Sequence, residues 1–225
     1  TPETPMGLFD LDTDSYQTCL RRLQEKYRRQ LTLGFGVELG MQPQLNVQNT
    51  AYAKRYPFDF IIASTHLVES QDPYYPAYFE KQGDEGGYRA YFETELASMQ
   101  SFTEYDVYGH IDYIVRYGQT KDKHYSYDKY RDLFERMIET LLERGKGIEC
   151  NTGGLRKGLK EAHPCRSFLK RYRQKGGEII TVGSDAHCPA DIGSHFDLAR
   201  QILSDCGFKR YYTYHNRRPF SHSLT

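Results

Sequence analysis

The 225-residue chain contains no tryptophan, carries no net charge and has no pair of cysteines at CxxC spacing. Thirty Lys and Arg offset thirty Asp and Glu, so the overall balance exerts no pull toward nucleic acid or an anionic membrane. The five cysteines, Cys19, Cys150, Cys165, Cys188 and Cys206, are odd in number and scattered. That pattern argues against a disulfide framework and a thiolate zinc ribbon and reads as reduced thiols. No apolar run approaches the roughly 20 residues that span a bilayer, and the opening "TPETPMGLFD" lacks signal-peptide character, so a cytoplasmic location is expected. No internal repeat or low-complexity tract is present. Twenty tyrosines stand where tryptophan is missing; without a basic excess they read as packing and hydrogen-bonding groups rather than base-stacking platforms. With 38% apolar residues the chain can bury one sizeable core, most simply as a single domain over 1–225.

What is present is an alternation of helical and strand patterns. A polar helix is predicted from about Ser15 to Arg29, then a strand in "LTLGFGVEL" and a second in "FDFIIAST". The Tyr- and Gly-containing stretch from Val68 to Gly87 reads as a loop. A helix from about Tyr88 to Ser101, a short strand "YDVYGHID", a helix over 127–144, strand "GIECNT", a helix near Arg166 to Gln174, strand "GEIITVGSD", helix "FDLARQILSDCG" and a last strand "RYYTYH" complete the order. Strands separated by helices predict a parallel sheet covered by helices.

Polar residues collect where those strands end. Glu38 closes "GFGVELG", His66 follows "FIIAST", His110 and Asp112 close "DVYGHID", Glu149 and Asn151 close "GIECNT", and Asp185 and His187 close "TVGSDAH". A helix cap explains one such ending but hardly five. In a parallel barrel all strands deliver their C-terminal ends to one face, so these side chains would converge on one pocket. Glu149 and Asn151 alternate with Cys150 and are expected to face inward while Cys150 faces the helices. Imidazole plus carboxylate without thiolate suits Zn, Fe or Mn as a Lewis acid, and carboxylates can bridge two cations, which makes hydrolysis the leading class.

The segments "GVELG", "STH", "GHIDYIVRYG", "ECNTGGLRKG" and "GSDAH", with the ending "RRPFSHSL", resemble the PHP (polymerase and histidinol phosphatase) phosphoesterases, in particular the histidinol-phosphate phosphatases. The resemblance runs from about Ser15 onward. It implies an α/β fold, a distorted TIM-like (β/α)7 barrel, holding a cluster of up to three divalent metal ions. It also implies hydrolysis of L-histidinol phosphate, a small-molecule phosphate ester, to L-histidinol and phosphate in histidine biosynthesis. Matched motif by motif, Glu38, His66, His110, Asp185 and His187 correspond to metal ligands. Asp185 and His187 carry the catalytic expectation, and Arg116 and Arg156, nearest the matched motifs, are expected to bind the substrate phosphate. The family opens with a strand bearing an HxH motif, then a further acidic residue and another His. None of these is in the sequence, so the resemblance implies a barrel without its first βα unit and an incomplete cluster.

Two other readings share these residues: a PHP phosphoesterase acting on nucleotides or nucleic-acid ends, and an inert PHP-fold binding module. The even charge favours the small substrate, with no nucleic-acid or membrane partner. Among the remaining residues, His124, His163, His215 and His222 read as solvated surface positions. His195 reads as a helix N-terminal residue, and Asp112 as a partner orienting a liganding histidine. The acidic Val68–Gly87 loop, with Glu69, Asp72, Glu80, Asp84 and Glu85, is a candidate lid or simply a solvated loop.

Overall fold

A computed structural model describes residues 10–224. Five parallel strands pair in chain order: β1 (Gly36–Gly40), β2 (Phe60–Ser64), β3 (Val107–Tyr108), β4 (Gly147–Asn151) and β5 (Ile180–Gly183). An antiparallel hairpin, β6 (Arg210–His215) and β7 (Arg218–Ser223), follows, with β6 beside β5. Eight α-helices are described: α1 (Thr13–Tyr27), α2 (Asn46–Arg55), α3 (Ala77–Glu80), α4 (Gly83–Ser101), α5 (Arg131–Glu143), α6 (Gly153–Arg156), α7 (Arg166–Gln174) and α8 (Phe196–Asp205). Sequential pairing is the order of a barrel wall rather than of a doubly wound sheet, whose order reverses. Among the described residues that wall is open between β1 and β5.

The register assigns each strand residue to a face. Leu39 pairs with Ala63, Ala63 with Tyr108, Tyr108 with Ile148 and Ile148 with Ile180, and all five belong to the apolar core. On α5, Leu133, Phe134, Met137, Ile138 and Leu141 recur at helical spacing and are all buried. α4 contributes Tyr88, Tyr91, Phe92, Leu96 and Met99 to the same core. The opposite face carries Glu38 beside Ile62, Ile62 beside Val107, and Glu149 beside Thr181. Cys150 lies in the core while its neighbours Glu149 and Asn151 lie buried outside that apolar cluster, as the alternation anticipates.

Three local expectations change. The stretch from Val68 to Gly87 is not irregular throughout: it contains α3, and α4 already begins at Gly83, with Asp84 and Glu85 in the first turn where the helix dipole favours them. Asp84 accepts hydrogen bonds from the amides of Gln119 and Thr120 at 2.9 and 2.7 Å, which spends it on tethering another loop. α2 was not expected because it presents almost no apolar face, Ala53 being its one buried residue among those described. β7 has the same cause; all six of its residues are exposed, so no alternation marks it.

The hairpin turn closes the N-terminal end of the strands. Asn216 and Arg217 both adopt left-handed φ, 49° and 62°, as a two-residue type I′ turn requires. Asp59, just before β2, accepts from the amide of Phe35 at 2.8 Å and from that of Asn216 at 2.9 Å. Asp106, just before β3, accepts from the amide of Ile61 at 2.8 Å and from Arg217 Nε at 2.7 Å. Burial pushes the Asp106 carboxyl up while Arg217 pulls it down. Arg217→Ala is therefore expected to leave a buried carboxylate without its cation and to lower stability by about 1–3 kcal/mol in urea unfolding; an unchanged midpoint would show that the lock carries no weight.

Candidate metal centre

At the opposite, C-terminal ends of the strands the turns place chemistry. Glu38 is the third residue of β1, and its carboxylate Oε1 stands 3.0 Å from His110 Nε2 and 3.4 Å from His66 Nε2. His66 follows β2 by two residues and His110 follows β3 by two. One ligand atom from each of the three lies within 4.8 Å of the others, a spacing that could hold a metal ion. Neutral imidazole and carboxylate are the donors that suit Zn, Fe or Mn. The edge of the His110 ring that faces Glu38 is Nε2, the nitrogen a cation held with Glu38 would take; the other, Nδ1, is buried with no hydrogen-bond partner.

The charges interlock. Burial opposes ionisation of Glu38, but the hydrogen bond and charge of His110, joined by His66, outweigh it and hold the carboxyl far below the usual range. For His110, burial is overcome by the same bond to Glu38, with Glu149 and Asp185 adding to it, so its pKa is raised. His66 goes the other way: burial and the neighbouring His110 charge push it down to about 4.

Tyr113 walls the cluster, its ring stacked on His110 at 4.6 Å and edge-on to His66 at 5.3 Å. The Arg116 guanidinium lies over the same ring, 3.9 Å from its centroid, and 5.2 Å from that of Tyr117. Its Nη1 reaches Asp185 Oδ2 at 3.4 Å, and its buried Nε has no partner. Arg116 is thus a cation held beside the cluster with donor capacity to spare. Asp185, in left-handed backbone at φ 52°, is mostly buried and close enough to act on both His66 and His110. Arg156 grips the loop that carries it: Nη1 donates to the Ser184 carbonyl, Nη2 to that of Asp185 at 2.8 Å, and Nε faces Asp191 at 3.5 Å.

Of the sequence-derived set, Glu38, His66 and His110 come together, and Asp185 and Arg116 adjoin them. His187 does not join the three: its side chain is 85% exposed and its Nδ1 donates to the Asp185 carbonyl at 3.0 Å. Asp112 orients a histidine, but it is His163, at 2.5 Å. His163 is 1% exposed, a correction to the surface reading. Paired backbone bonds between His163 and Asn151, at 2.7 and 2.9 Å, pull it under β4. Asp112 also accepts from Tyr125 at 2.9 Å and the Cys165 amide at 2.8 Å. His124, His215 and His222 are exposed, and His195 is the N-cap of α8. Tyr113 was overlooked; its position directly after "GHID" is the signal that could have marked it.

Residues 4–153 match the PHP domain family. The chain is 32% identical over 206 residues to a probable histidinol-phosphatase of Clostridium acetobutylicum, covering 90% of this chain and 77% of that protein. It is 28% identical over 207 residues to the histidinol-phosphatase of Lactococcus lactis, covering 92% of this chain and 77% of that one. Among solved structures, the fold is similar to that of histidinol phosphate phosphatase from Lactococcus lactis complexed with Zn, L-histidinol and phosphate. The TM-score is 0.83 at 24% identity, covering 94% of this chain and 81% of that one.

The raised pKa of His110 sets a direction for metal binding. The proton that Glu38 favours on His110 must leave before a cation takes that ring, whereas His66, already pushed down to about 4, is neutral near pH 7. Co2+ affinity is therefore expected to rise as pH climbs through and above the ordinary histidine range, with proton release on binding, measured by titration calorimetry in two buffers. An affinity independent of pH would contradict the site.

Proposed function

The chain belongs to the PHP domain family, and from that premise we propose that it is a metal-dependent histidinol-phosphate phosphatase. The reaction is hydrolysis of L-histidinol phosphate to L-histidinol and phosphate. The observation that carries this reading is the convergence of Glu38, His66 and His110 on one point, with Arg116 and Asp185 beside it. The substrate assignment is supported by the histidinol-phosphatase names of relatives that align along most of the chain and by the histidinol and phosphate in the similar structure. The even charge of the chain suits a small substrate over an oligonucleotide.

Each residue has a part. Glu38, His66 and His110 would hold divalent cations, with Asp185 completing the acidic side. Bound there, such ions supply Lewis-acid polarisation of a phosphoryl oxygen and a lowered pKa for water. Arg116, fixed by two tyrosine faces, offers donors to the outer phosphate oxygens as charge develops on them. Arg156 belongs to the same phosphate-binding assignment through its contact with the Asp185 turn. The leaving alkoxide would be stabilised by the bound cation or take a proton from a nearby acid, either His187, whose Nδ1 donates to the Asp185 carbonyl, or a water. No side-chain nucleophile is needed.

The test is phosphate release from L-histidinol phosphate by protein loaded with Zn2+, Mn2+ or Co2+ and by chelator-treated protein. Hydrolysis should require the metal and should exceed that of nucleotides and 5′-phosphorylated oligonucleotides. Arg116→Met should lower kcat/KM by about 100-fold, the scale of losing one charge-stabilising donor, while leaving Co2+ affinity nearly unchanged. Tight metal binding without hydrolysis of any phosphate ester would instead identify a binding module.

A further inference from the structure

Glu149 is absent from the group of three, yet its carboxylate lies directly behind it. The residue is 5% exposed in the middle of β4. Oε2 accepts the amide of His110 at 3.2 Å and the side-chain Nδ2 of Asn151 at 3.0 Å. Asn151 is fixed in turn, its Oδ1 accepting from the Gly153 amide at 2.8 Å and its backbone paired with His163. Burying a carboxylate in this way is costly unless the bonds it makes are needed.

The backbone around it is cut to fit. A Cβ placed on Gly183 would fall 1.9 Å from Glu149 Oε1, and one on Gly109 would fall 3.3 Å from Oε2 and 2.5 Å from Ser64 Oγ. Neither glycine has a left-handed φ, so at both positions the missing side chain is explained by space. His110, between Gly109 and the core residue Ile111, is itself left-handed at φ 25°, a conformation a histidine holds only when its surroundings impose it. The Glu149 bond is made to the amide of that very residue. Two residues on, the bonds of Asp112 to His163, Tyr125 and Cys165 secure the far end of the turn.

We infer that Glu149 is a positioning residue: its carboxylate, seated in the space left by Gly183, clamps the strained His110 turn and thereby aims the His110 ring at Glu38 and the cation. The effect on the ion rests on the metal-site reading above; the effect on the turn does not. Outer partners of ligating residues commonly change metal affinity by about 10- to 100-fold when removed, and Glu149 acts one step further back, through the main chain of the ligand.

The experiment uses Glu149→Ala, Glu149→Gln, Gly183→Ala and the Glu149→Ala/Gly183→Ala double variant, each confirmed folded by circular dichroism. Two readouts are taken: Co2+ affinity, and hydrogen–deuterium exchange of the 105–118 segment in metal-free protein. Glu149→Ala and Gly183→Ala should each weaken Co2+ binding by about 10- to 100-fold and speed exchange around His110. Glu149→Gln keeps an oxygen for both donors and should restore affinity and protection. In the double variant Gly183→Ala should add no more than about twofold to Glu149→Ala, because the methyl group then has no carboxylate to displace. If Glu149→Ala does not fold, Gly183→Ala and Glu149→Gln still decide the matter. Unchanged exchange at His110, or full additivity in the double variant, would overturn the inference. Absence of Co2+ binding by the unsubstituted protein would overturn the metal-site reading alone.

Discussion

The contact between Glu38 Oε1 and His110 Nε2, 3.0 Å long, joins residues 72 positions apart and depends on three strands running parallel. β1 brings Glu38 beside Ile62 of β2, and Ile62 sits beside Val107 of β3. From there each chain leaves the sheet within two or three residues, and the turns carry His66 and His110 back over Glu38. Were any of these strands antiparallel, its terminal histidine would emerge at the other end of the sheet. The site is therefore a property of strand direction before it is a property of any side chain.

Direction alone does not aim an imidazole, and the turns show what aiming costs. His110 and Asp185 both occupy left-handed backbone, which costs a non-glycine residue of order 1–3 kcal/mol. Each is held by groups from another strand or loop: His110 by Glu149, and the Asp185 turn by the two carbonyl contacts of Arg156. The two ends of the sheet consequently divide their work. Asp59, Asp106 and the hairpin satisfy one another at the N-terminal end, whereas the C-terminal end keeps Arg116 Nε and His110 Nδ1 buried without partners. Two of the buried polar atoms without partners thus lie at the end where a charged ligand would meet them.

Much of this arrangement was legible in the sequence. Glu38, His66, His110 and Asp185 were recognisable because each lies within or just after a short apolar strand, a pattern set by the parallel fold itself. The inward direction of Glu149 and Asn151 followed from strand alternation. His163 was not legible. Its burial comes from an isolated bridge to Asn151 and a carboxylate 51 residues away, and no local periodicity records a pairing of that kind. His187 was assigned with Asp185 because the two share a motif, but one intervening residue is enough to turn its ring outward to 85% exposure. α2 and β7 escaped because burial, which writes the periodic signal, is nearly absent from both.

The central claim is that Glu38, His66 and His110 form one cation site. Its most direct measurement is anomalous diffraction from crystals of the protein grown with Zn2+ or Mn2+, recorded at the metal edge. The account expects a peak between the Glu38 carboxylate and the rings of His66 and His110, within reach of Asp185. Metal bound elsewhere on the chain, with those three side chains still bonded to one another, would contradict it.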